Sequence, residues 1–158
     1  MTFPQDDSLV ELRCAVVVIR NNSVLLLERP DSGDWVLPGG RPHAHENMGS
    51  CARREVREET GLDVHPNRCG LVLEVNDPRS HRRVVELVFL ADDPGTTTPL
   101  VGEPRRLPQW VELGAIRSLP LRPPIAGFLP DLAGRGATLG RYIGNVWRPQ
   151  PGDQPGDR

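Results

Sequence analysis

Residues 52–62 read ARREVREETGL, and the way this stretch sorts its charges decides the reading of the chain. Ala52 and Val56, four apart, give a helix one apolar strip, Asn47 supplies an N-cap before it, and Gly61 stops it. On that helix Glu55 neighbours Glu58 and Glu59, and Arg53 neighbours Arg57, so like charge is stacked on like. The only opposite pair four apart, Arg54 with Glu58, runs in the poorer direction. Glu58 and Glu59 also sit at the helix C-terminus, where the macrodipole disfavours negative charge. A solvated helix face gains from none of this. A hard divalent cation would reverse each cost, because three carboxylates at i, i+3 and i+4 offer oxygen ligands on one side. Mg²⁺ suits the set better than calcium, since it keeps waters and is completed by substrate phosphates.

The rest of the composition sets bounds. The 158 residues hold one domain with a real core, 1–147, followed by a Pro/Gly/Asp-rich tail, 148–158, that reads as disordered. Hydrophobic content of 37% and charged content of 25% describe a globular protein, and a net charge of -2 gives no global attraction for DNA, RNA or an anionic membrane. All 19 basic side chains are arginine. Cys14, Cys51 and Cys69 match no zinc spacing and read as small buried hydrophobes in a reducing compartment. MTFPQDDSLV lacks the basic start and apolar run of a signal peptide, so the expected location is the cytoplasm.

Strand-like runs surround the helix. Residues 9–20 and 23–29 form a hairpin through Asn21–Asn22, and WVLPGG ends in a turn that no regular element crosses. Residues 69–77 and 82–92 are two more strands, and 109–113 a short one. Residues 123–133 could form a helix entered through proline, which Pro130 should break or bend, and 141–147 pack as an arm. The order predicts a mixed α/β domain with helices on a sheet.

Gly40 is followed after five residues by Glu46 and, seven later, by Arg54-Glu55-Val56-Arg57-Glu58-Glu59-Thr60-Gly61-Leu62. This resembles the Nudix hydrolase family, MutT-like proteins included, and all nine specified positions of the family's box are present. The fold-level resemblance covers 9–133, although the diagnostic match is confined to the box. It implies an α/β/α sandwich with a mixed central sheet and the box as loop–helix–loop. It implies hydrolysis of a nucleoside diphosphate linked to another moiety (a nucleoside triphosphate, nucleotide sugar or ADP-ribose type) by water attack on phosphorus. Carried over by position, Glu55, Glu58, Glu59 and the Gly40 carbonyl would hold Mg²⁺, with Mn²⁺ as the alternative, and Arg54 with Glu46 would form an ion pair bracing the loop. Arg53 and Arg57 carry no family role and read as solvated surface. Some members take a further Glu from a loop beyond the box, as metal ligand or general base, and Glu103 is the choice here. Glu74, Glu86, Asp92 and Asp93 compete, although Glu86 alternates with Val85 and Leu87 and reads as facing outward from a strand.

Substrate signals are thinner. Arg79, Arg82 and Arg83 could grip phosphate if their turn faces the site, or could equally be an exposed turn. LRPPIAG (121–127) lacks the Asn that a strict oxidised-guanine reader would carry nearby, and Trp35, Phe89, Trp110 and Phe128 are the aromatic candidates for base stacking. His43 and His45, inside the box loop, read as bystanders. The expected partner is a small nucleotide, with homodimers common in the family and no RNA, DNA or membrane. A non-catalytic nucleotide-sensing module is the alternative, opposed by the intact box carboxylates. RNA decapping, a further rival, finds no basic stripe to support it.

Overall fold

The computed structural model describes residues 9–96, 100–134 and 136–150. Its elements are β1 (Val10–Arg20), β2 (Ser23–Arg29), β3 (Asp34–Val36), β4 (Gly39–Gly40), α1 (Met48–Thr60), β5 (Pro66–Asn76), β6 (Arg83–Ala91), β7 (Leu107–Glu112), β8 (Leu121–Arg122), α2 (Leu129–Ala133) and β9 (Arg141–Asn145). Short 3₁₀ turns cover Leu113–Ser118 and Ala126–Phe128.

The hairpin of β1 and β2 closes on Asn21 and Asn22 at φ 47° and 61°. Both lie in the left-handed region that Asn tolerates and that matches the twist of paired strands. β1 then serves several neighbours. Its end pairs with β2, Cys14 and Ala15 pair antiparallel with β4, and its other edge runs parallel to β6 from Val10↔Arg83 to Val18↔Ala91. The strand order is β8-β3-β2-β1-β6-β5-β9, with β7 on β2 and β4 on β1.

Alternation along the central strands builds two cores, one on each face of this mixed, curled sheet. Cys14, Val16, Val18 and Leu25 face α1 through Cys51, Ala52 and Val56. Ala15, Val17, Val24 and Leu26 face the opposite side, with Leu71, Leu73 and Val88, and are covered by Ile116, Ile125, Leu129 and Leu132. The fold is the mixed α/β layering that the sequence predicts.

Local details differ from the sequence reading. The Pro-Gly-Gly segment carries the two-residue strand β4 rather than a bare turn. A Cβ on Gly39 would lie within 2.8 Å of Ala15 Cα and closer still to the Cys14 carbonyl oxygen, so only glycine lets the chains approach. Residues 123–133 form no continuous helix but a 3₁₀ turn and the short α2. Pro130 sits in the first turn of α2, where no backbone donor is needed, and so opens the helix instead of breaking it. The arm at 141–147 contains β9, which joins the sheet edge parallel to β5. Cys14 and Cys51 are buried with their sulfurs 3.3 Å apart, whereas Cys69 is only half-buried. Residues 148–150 belong to no regular element, and the remainder of the expected tail, 151–158, lies outside the described residues. Among the described residues no helix is long and apolar enough to cross a membrane.

Candidate active site

The helix α1 is set by local chemistry at both ends. Asn47 Oδ1 accepts a hydrogen bond from Ser50 N at 2.8 Å, and Gly61, at φ 78°, donates its N–H to Arg57 O at 2.9 Å. The apolar strip turns inward, and one carboxylate goes in with it. Glu59 is 1% exposed. Its Oε1 accepts from Gly39 N at 2.8 Å and its Oε2 from Arg106 Nη1 at 2.8 Å. Burial pushes the Glu59 carboxyl up to about 7, against the pull of the Gly39 N–H and the Arg106 guanidinium.

Arg54 organises the rest of the stripe. Its Nε and Nη2 donate to Glu46 Oε1 and Oε2 at 2.8 and 3.0 Å, and Nη2 also reaches Arg41 O at 3.1 Å. Nη1 donates to Glu55 Oε1 at 2.9 Å and Glu58 Oε2 at 3.3 Å. The guanidinium, with help from His43 N–H at 2.8 Å, holds Glu46 down at about 2. The like-charged Arg53 and Arg57 are reconciled in the same way: both donate to Asp63, just past the helix, at 2.7–2.9 Å. Beside the one pair four apart, Arg54 with Glu58, the repulsion expected along α1 is therefore compensated by Glu46, Asp63 and Arg106, which no i,i+4 rule reveals.

The three box carboxylates share a helix side but do not converge on one point. Glu59 is drawn under the sheet edge, Glu55 stands against the Gly40 backbone, and Glu58 remains half-exposed beside Arg54. Among the described residues no three acidic, imidazole or thiol groups stand close enough to hold a metal by themselves. Their donor chemistry nevertheless fits a hard cation: every donor is oxygen, and a Cβ at Gly40 would strike the Glu55 carboxylate, so glycine lets that carboxylate lie against the Gly40 backbone.

Beside this stripe opens a cavity of about 420 Å³. It shares Gly39 and Arg106 with the Glu59 site, and six arginines line it: Arg13, Arg29, Arg82, Arg106, Arg122 and Arg148. Most already have carboxylate partners. Arg82 and Arg13 pair with Glu11, Arg29 with Asp34, and Arg106 with Glu59. Glu86 and Gln150 are its other polar lining residues, and the remaining walls are largely apolar, with Val75, Val84, Pro123, Pro124 and Trp147 among them.

The residues singled out from sequence fall differently around this space. Of the three arginines in the β5–β6 turn, Arg82 lines the cavity; Arg79 pairs with Asp77 and stacks on Trp147, and Arg83 pairs with Glu74. Glu103 is exposed in a turn whose backbone closes on Arg106, at 3.2 Å between Glu103 O and Arg106 N. Its rivals are engaged elsewhere: Glu74 with Tyr142, Asp93 with Arg20, and Asp92 with Arg68 at 3.8 Å. Glu86 does not face outward. It shares the inner face of β6 with Val84 and Val88, is 7% exposed, and lines the cavity. The alternation is real but the faces are reversed: the adjacent Val85 and Leu87 are the half-exposed set.

Trp35, Phe89, Trp110 and Phe128 pack against the two cores, and none of them lines the cavity. Trp147 does, although nothing in a weak C-terminal segment marked it. Arg106, Arg122 and Arg13 were likewise passed over, since their spacing along the chain says nothing about a shared cavity. A buried carboxylate in the box does require a counter-charge, and that requirement is the one signal that could have found Arg106.

The family model for the NUDIX domain matches residues 11–132. An uncharacterised Nudix hydrolase of Bacillus subtilis, YvcI, is 31% identical over 110 residues, covering 68% of this chain and 69% of its own length. The NAD-capped RNA hydrolase NudC of Stutzerimonas stutzeri is 30% identical over 140 residues, and the match covers 86% of this chain but only 46% of that protein. Among solved structures, the solution structure of the Escherichia coli ORF135 protein superimposes with a TM-score of 0.68 at 21% identity, covering 86% of this chain and 100% of that one, which supports the fold alone. The chain belongs to the Nudix family, whose members are pyrophosphohydrolases acting on nucleoside diphosphate derivatives.

Proposed function

We propose that the chain is a Mg²⁺-dependent pyrophosphohydrolase for a small nucleotide, cleaving a nucleoside diphosphate linked to another moiety. One observation carries the reading: an arginine-lined cavity of about 420 Å³ shares Gly39 and Arg106 with the carboxylate stripe, so a bound phosphate chain would end beside Glu59. A volume of that size suits a nucleotide, and arginine forks suit its phosphates. Glu55, Glu58, Glu59 and the Gly40 carbonyl would hold the metal. When bound, a divalent ion offsets phosphate charge and lowers the pKa of a coordinated water.

The chain's own residues supply the rest. Arg82 and Arg106 orient phosphate oxygens, and Arg54 fixes Glu55 and Glu58 through the Glu46 brace. Water adds to phosphorus, the bridging P–O bond breaks with its electron pair leaving on the departing phosphate, and the water proton passes to a carboxylate. Glu103 is assigned as that base on its place beside Arg106.

The test is a panel of nucleoside triphosphates, nucleotide sugars and ADP-ribose incubated with Mg²⁺, with the products identified. Turnover of at least one, lost by roughly 10–100-fold or more in Glu59→Gln with the circular dichroism spectrum unchanged, is the expected result. Tight binding without turnover across the panel would replace hydrolysis by the sensing role.

A further inference from the structure

Glu86 stands apart from the other charged groups of the cavity. It is 7% exposed, lines the cavity, feels the charge of Arg13, and receives no hydrogen bond from any described residue. Arg13 is its neighbour in the β1–β6 register, yet the Arg13 guanidinium turns to Glu11 at 3.7 Å. A carboxylate that opens only on a cavity, with no protein donor, is poorly solvated and gains from a ligand that donates to it. On the cavity wall Arg122 shows the converse, a buried Nε–H with no acceptor. The cavity thus holds an unanswered acceptor and an unanswered donor, between flat apolar walls that include Trp147, Pro123 and Pro124.

A planar heterocycle fits those walls, and the carboxylate decides which one. Its two oxygens lie in one plane and are best met by two adjacent N–H donors. Guanine carries such a pair, N1–H beside the 2-amino group, and on the same edge O6 offers an acceptor for an unpaired guanidinium N–H. Adenine sets its amino group beside the N1 lone pair, and cytosine sets its own beside the N3 lone pair, so a carboxylate meets one donor and one repulsion. Uracil has a single N–H between two carbonyls. We infer that Glu86 is a specificity-determining residue that reads the N1–H and 2-amino edge of a guanine base seated in this cavity. The substrate is accordingly a guanine nucleoside diphosphate derivative. This deepens the proposed function and rests on its reading of the cavity as the nucleotide site.

Calorimetric binding of GMP, IMP and AMP to the full chain at pH 7.5, without metal, tests it apart from catalysis. The expected order is GMP tightest, IMP intermediate because it lacks the 2-amino group, and AMP weaker than GMP by at least about tenfold. Glu86→Gln, nearly isosteric, should weaken GMP by about tenfold or more while holding or strengthening AMP, since an amide offers one donor and one acceptor to adenine. Equal affinities for GMP and AMP, failure of GMP to bind while another nucleotide is hydrolysed, or a Glu86→Gln variant with unchanged selectivity would each overturn the assignment. Selective GMP binding without any hydrolysis would instead sink the hydrolase reading and leave the base reading standing.

Discussion

Replacing Glu86 by Gln should make the stability of the protein less dependent on pH, in a window fixed by one buried group. Burial raises the Glu86 carboxyl from its ordinary 4.5 to about 6, and Arg13 offsets only part of the effect. Between those two values the folded chain keeps a proton that the unfolded chain has released, so stability falls as pH rises through the window. Below about 4.5 the group is neutral in both states and costs nothing. Above about 6 ionising it inside the fold costs about 2 kcal/mol, since each tenfold change in proton affinity is worth about 1.4 kcal/mol. Gln carries its own desolvation cost, but at every pH alike, so the change in the difference between the two proteins isolates the charge. Urea unfolding at pH 4 and pH 7.5, read by tryptophan fluorescence, measures that difference. Glu86→Gln should gain about 2 kcal/mol relative to the parent on going from pH 4 to pH 7.5. Glu59, pushed up to about 7, is common to both proteins and cancels. A difference that is the same at both pH values would refute the claim that Glu86 is buried without a donor.

Other perturbations probe the site's supports. Gly39→Ala should destabilise the fold by about 3 kcal/mol, at the upper end of overpacking costs, seen as a lowered urea midpoint, because the new Cβ meets the backbone of β1 rather than a movable side chain. Arg54→Lys keeps the charge but loses the fork that spans Glu46, Glu55 and Glu58. The Mg²⁺ concentration for half-maximal activity should then rise about 10–100-fold with the fold retained, and an unchanged Mg²⁺ profile would deny that brace its role. Glu103→Gln should lower kcat by roughly 10²-fold if Glu103 is the base, and a neutral effect in the same assay would move that role to another carboxylate.

Much of this site was legible in the chain because the box is local. Asn47, Gly61 and the Ala52–Val56 strip fix α1 within a few residues of themselves, and the carboxylate stripe follows from helical spacing alone. The strands were legible for the same reason, through their apolar alternation. Alternation tells which residues share a face but not which face is covered. Glu86 therefore read as outward until Val84, Val88 and the sheet neighbours placed it inside. The roles of Arg106 with Glu59, Asp63 with Arg53 and Arg57, and Trp147 with the cavity rest on packing between distant parts of the chain. So does the two-residue β4, which exists only because β1 passes close enough to require glycine. The sequence by itself determined the helix, its carboxylates and the family. Only the tertiary structure decided which charges are paired and which two, Glu86 and Arg122, lack a partner among the described residues of the cavity, because long-range pairing and burial leave no periodic trace in the order of residues.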